Sequence, residues 1–96
     1  MEVLYAKRAL MPDIYDKDVD RRAIEVAFKN GQKTIVLKYM IMENFNVKTQ
    51  LKDGDDDYWC SEVNFYGYRK RPRFSRETWD KFDSQAQEYI NLNGVK

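Results

Sequence analysis

The segment from Lys33 to Met42, KTIVLKYMIM, is apolar on both sides when drawn as an extended chain. Ile35, Leu37, Tyr39 and Ile41 fall on one face; Val36, Met40 and Met42 share the other with Lys38. A strand of that pattern needs cover on each side, at least in part, so the spacing predicts a central strand of a sheet. What surrounds it must supply neighbouring strands and a covering layer.

The flanking sequence offers both. Residues 2–10, EVLYAKRAL, fit a strand through Val3, Tyr5 and Ala9 or a helix through their composition; the strand is preferred, and Pro12 ends either. Residues 16–30, DKDVDRRAIEVAFKN, predict a helix. Asp16 or Asp18 would cap it, Val19, Ala23, Val26 and Ala27 would form its apolar stripe, and Gly31 would end it. After Met42, FNVKTQL would continue the sheet through Phe45 and Val47, and Asp53-Gly54 marks a hairpin turn. Residues 58–68, YWCSEVNFYGY, predict the next strand, with Trp59, Val63 and Phe65 toward the core and Tyr58, Cys60, Glu62, Asn64, Tyr66 and Tyr68 on a wet face. Ser75 caps a final helix over 75–91, whose Trp79, Phe82, Ala86, Tyr89 and Ile90 recur at helical spacing. The expected fold is α+β, in the order β-α-β-β-β-α. It has a small single sheet of three to four mainly antiparallel strands and two helices packed on one face, in one compact domain over 1–96.

A chain of 96 residues buries only a thin core, so its 15% aromatic residues must supply much of the buried area. The sequence contains no histidine and one cysteine, Cys60. A Ser-His or Cys-His nucleophile is therefore excluded, and a structural zinc site has too few ligands. Chemistry would have to rest on carboxylates, lysine or tyrosine. Glu43 and Glu62 on adjacent strands are the carboxylate candidates, and nothing in the sequence places them in a cleft. The expectation is a non-catalytic protein without a cofactor or metal. No apolar run is long enough to span a membrane, the N-terminus reads as too short and too charged for a signal peptide, and a lone cysteine suits a reducing compartment. A cytoplasmic location follows as an expectation.

Charge is unevenly distributed although the net charge is only +1. Asp53, Asp55, Asp56 and Asp57 form an acidic tip. Its alternation suggests a calcium loop, but the sixth and twelfth positions of such a loop would fall on Tyr58 and Asn64 instead of glycine and glutamate. It is read as a solvated hairpin tip and as a secondary partner contact. In GYRKRPRFSRETW, Arg69, Lys70, Arg71, Arg73 and Arg76 crowd beside Tyr66 and Tyr68. Arginine and lysine attract phosphates, and unpaired bases stack on tyrosine rings. The chain carries seven tyrosines, a surplus typical of binding surfaces. The stretch YRKRPRFSRETWDKF resembles the single-strand-binding domain of the transcriptional positive-cofactor-four type, in which a basic strand end runs into a capped helix with an early Trp. That resemblance covers this stretch and a few residues beside it; the helix expected over 16–30 stands where that family has strands.

These observations lead to a binding protein that engages RNA, single-stranded DNA or a nucleic-acid-handling protein through Tyr66, Tyr68, Arg69, Lys70, Arg71 and Arg73. The alternative is a protein-binding inhibitor or regulator in the style of a phage accessory protein, blocking a host enzyme or defence factor by occupancy. Strands apolar on both faces also suit a homodimer.

Overall fold

The computed structural model describes residues 1–43 and 47–96. It contains β1 (Glu2–Pro12), β2 (Asp20–Asn30), β3 (Lys33–Ile41), β4 (Leu51–Asp53), β5 (Asp56–Tyr66) and one helix, α1 (Arg76–Asn93). All strand pairs are antiparallel, in the order β1-β2-β3-β5-β4. The expected β-α-β-β-β-α order, with three to four strands and two helices, is therefore corrected: among the described residues the sheet has five strands, and a single helix covers it.

The error lies in residues 16–30. The run AIEVAF satisfies both a helical and an alternating period, and the alternating one prevails because β2 is paired along its length with β1 on one side and β3 on the other. Ile24, Val26 and Phe28 then face the helix with no exposure, while Ala23, Glu25 and Ala27 take the opposite face. Gly31 is not a helix terminator. It sits at φ 65° in the tight turn between Asn30 and Lys33, where a positive φ at the first central position suits the strand twist. The strand expected at the N-terminus is present as β1, and the central strand is β3, flanked by β2 and β5. The proposed continuation through Phe45 falls outside the described residues, and residues 47–50 are not strand.

The sheet curls into a half-barrel. Arg8 on β1 contacts Asp53 on β4 at 3.4 Å, yet these strands are the two opposite edges. In a flat sheet four inter-strand steps would separate them by about 19 Å, far beyond the reach of an arginine. The helix lies inside the curve and packs closest to the two edge strands. Phe82, Ala86 and Ile90 are buried there against Ile24, Val26, Phe28, Ile35, Leu37 and Tyr39. Hydrogen bonds fix it at both edges. Gln87 accepts from the Lys52 N–H at 2.7 Å and donates to the Lys52 carbonyl at 2.8 Å, serving as a ladder partner for β4. Beyond the helix, Lys96 exchanges backbone bonds with Ala6 and Arg8 on β1, at 3.1 and 2.7 Å. Edge groups that would otherwise be open to another chain are thus partly covered.

One further irregularity decides which side chains face out. The register between β3 and β5 shifts as Lys38 pairs with Glu62 but Tyr39 pairs with Cys60, leaving Ser61 as the extra residue of a β-bulge. Before it, Tyr58 and Cys60 face the helix; after it, Val63 and Phe65 do. Tyr58, expected on the wet face, is 1% exposed, and Trp59, expected in the main core, packs with Ala9, Met11, Ala23 and Met40 on the other side of the sheet.

Candidate nucleic-acid interface

The basic stretch forms the connection between β5 and α1. Its course is set by Gly67, at φ 82°, where an added Cβ would lie 3.2 Å from the Gln32 carbonyl oxygen and 3.4 Å from the Lys33 Cα. Both the backbone conformation and the close approach require glycine here. The consequence is that the connection passes directly beside the β2–β3 turn. Two aromatic anchors then hold it. The Tyr68 ring meets Phe65 edge-on at 5.7 Å, and Phe74 inserts among Phe65, Trp79 and Phe82 at 6.1, 5.4 and 5.4 Å. At the far end Ser75 caps α1, its Oγ accepting from the Thr78 N–H at 3.2 Å.

Between these anchors Arg69, Lys70, Arg71 and Arg73 are exposed, and none of them takes part in an ion pair among the described residues. The same holds for Arg76 in the first helical turn. The Arg71 guanidinium lies 6.0 Å from the Phe65 ring centroid, at the outer limit of a cation–π contact. Tyr66 is 56% exposed on the face away from the helix. Tyr68 behaves differently from expectation: β5 ends at Tyr66, the chain turns at Gly67, and the Tyr68 ring folds onto the core. Its hydroxyl is buried and has no hydrogen-bond partner within the protein.

Sequence reasoning missed Lys33. Its Nζ stands 4.9 Å from the Tyr68 centroid, so a cation from the β2–β3 turn joins the basic connection. Gly67 between two tyrosines was the available signal, because a glycine there marks a tight approach by another segment.

The acidic tip is held within the molecule. Asp53 pairs with Arg8 at 3.4 Å, Asp56 with Arg22 at 3.2 Å and Asp57 with Lys52 at 3.6 Å; Asp55 alone of the four makes no such pair among the described residues. The two carboxylate candidates are also separated in role: Glu43 pairs with Arg21, and Glu62 with Lys38. Among the described residues no group of three or more acidic or cysteine side chains is placed to hold a metal ion. Burial, with the nearby Asp83 carboxylate, pushes the Cys60 thiol up to about 12, which leaves it protonated near neutral pH. Among the described residues no helix is long and apolar enough to cross a membrane.

No protein-family model matches this sequence, and no curated protein or solved structure matches it.

Proposed function

We propose that this chain is a non-catalytic binding protein for single-stranded nucleic acid, RNA or DNA. The observation that carries the reading is the run of exposed cations Arg69, Lys70, Arg71 and Arg73, which have no acidic partner among the described residues and follow the exposed Tyr66 directly in the chain, with the Lys33 Nζ 4.9 Å from the Tyr68 ring centroid in the same connection. Unpaired cations on a rigidly anchored loop bind phosphates without first breaking internal ion pairs. Tyr66 offers a stacking surface for a base. A duplex hides its base faces from such a ring, so the combination favours an unpaired strand. The mechanism is occupancy: the strand is held and a competitor is excluded.

The test is fluorescence anisotropy with a labelled single-stranded oligonucleotide, comparing the natural chain with Arg69, Lys70, Arg71 and Arg73 all changed to Ala. Binding that disappears in a folded variant supports the reading. Equal binding by the variant refutes it.

A second reading, a protein partner, draws on the exposed side chains Ile14 and Tyr15 in the β1–β2 connection. They border a hollow of about 190 Å³ that also includes Met40, Met42 and Trp59. Co-purified nucleic acid that dissociates in high salt separates the two readings, because an apolar contact strengthens rather than weakens in salt.

A further inference from the structure

Arg8 and Arg22 stand where strand alternation places core residues. On β1 the inward face runs Ala6, Arg8, Leu10; on β2 it runs Arg22, Ile24, Val26. Ala6, Ile24 and Val26 are buried, so two guanidiniums continue an apolar face toward one end of the half-barrel. Charges at such positions need partners, and the β4–β5 hairpin supplies one aspartate to each. Arg8 Nη2 lies 3.4 Å from Asp53 Oδ2, and Arg22 Nη1 lies 3.2 Å from Asp56 Oδ2. A guanidinium presents five N–H donors in a fork. One contact apiece leaves both arginines with donors to spare, and both side chains remain well exposed, at 63% and 60%.

A cleft of about 280 Å³ opens between them, lined by Arg8, Ala9, Leu10, Arg22, Ala23 and Tyr58. Tyr58 is buried, while Leu10 is 65% exposed. The cleft therefore joins apolar surface to two underused cations. Its volume is close to the lower end of small-molecule sites, about 300 Å³.

We infer that this cleft binds a small amphipathic organic anion, one with an apolar ring or chain and a single carboxylate or sulfonate head. The body rests on Leu10, with the buried Tyr58 forming the floor beneath, and the head sits between Arg8 and Arg22. Asp53 and Asp56 act as internal competitors for the head. Single-contact, exposed ion pairs are weak, whereas a head group held in a fork by two arginines gains both geometry and charge. The site is separate from the surface following Gly67, and either can fail without the other.

The probe is 8-anilinonaphthalene-1-sulfonate, followed by its fluorescence and by backbone amide shifts in the full chain. Saturable binding is expected, with shifts centred on Ala9, Ala23 and Tyr58. Arg8→Gln with Arg22→Gln should weaken it at least tenfold. Asp53→Asn with Asp56→Asn should tighten it severalfold by removing the competitors. Leu10→Ser keeps both ion pairs and should also weaken binding, which guards against a loosened fold as the cause. N-phenyl-1-naphthylamine, which lacks the sulfonate, should show no gain from the aspartate changes. Equal dye binding after the arginine changes, no tightening after the aspartate changes, or amide shifts centred elsewhere would overturn the inference.

Discussion

The Tyr39 hydroxyl donates to Asp83 Oδ1 at 2.7 Å, joining the central strand to the helix across 44 positions of chain. Gln50 extends the network, donating to Asp83 Oδ2 at 3.4 Å and accepting from the Cys60 N–H at 2.6 Å. A half-barrel closed by one helix depends on how that helix is seated, and this bond seats it against the sheet. Tyr39→Phe should cost about 1–3 kcal/mol, the usual consequence of leaving a partly buried polar group without its partner. Urea denaturation measures the loss.

Burial holds the Asp83 carboxyl above its ordinary value, with Asp80 adding to the effect and the Tyr39 bond opposing it. The folded chain therefore binds this proton more tightly than the unfolded chain. The contribution to stability is fully present below the ordinary carboxylate value and is lost as pH rises through the raised one. Denaturation midpoints of the natural chain, taken relative to Asp83→Asn, should fall as pH increases across that interval. Asp13 and Glu25 are shifted the opposite way, down: for both, burial pushes up but is outweighed, by the Tyr15 N–H and Arg21 at Asp13 and by Tyr5 and Lys7 at Glu25. Their contributions are present above the ordinary value and vanish as pH falls, so the Asp83→Asn comparison isolates the one that runs the other way.

Much of this architecture was legible in the sequence. The alternation from Ile35 to Ile41 announced the central strand, Asp53-Gly54 the hairpin, and Ser75 with Trp79, Phe82, Ala86 and Ile90 the final helix. The second helix was misjudged because Ala23, Ile24, Val26, Ala27 and Phe28 are compatible with either period, and only pairing on both sides resolves them. The bulge at Ser61 leaves no local signature, yet it exchanges the faces of Tyr58 and Trp59. The basic residues from Arg69 to Arg73 could be picked out by composition. Lys33 could not, because its approach to Tyr68 depends on two turns meeting at Gly67.

Gly67→Ala should destabilise the chain by about 1–3 kcal/mol, the range for a residue forced into a left-handed conformation with a close neighbour. The same change should displace the basic connection from the β2–β3 turn and weaken oligonucleotide binding. Gly31→Ala provides the contrast: it carries a similar backbone strain but meets nothing within 4 Å, so its cost should be the smaller.

Gln87→Ala removes both side-chain bonds to Lys52. The Lys52 amide should exchange with solvent markedly faster, while amides of β2 and β3 keep their protection. Hydrogen exchange followed by NMR reads both at once.

Charge and stacking should separate in binding experiments. Lys33→Ala should flatten the salt dependence by about 0.7 in the log–log slope, the value for one phosphate contact with a single strand. Tyr66→Ala should weaken binding by about 1–3 kcal/mol and leave that slope unchanged, since a stacked ring displaces no counterions.

The decisive measurement is the salt titration of affinity for a single-stranded oligonucleotide, natural chain against the fourfold alanine variant at Arg69, Lys70, Arg71 and Arg73. Affinity that falls steeply with added salt in the natural chain, with a slope reduced by roughly 0.7 for each cation removed, is the predicted result. Absence of binding by the natural chain at low ionic strength, or an identical slope in both proteins, would contradict it.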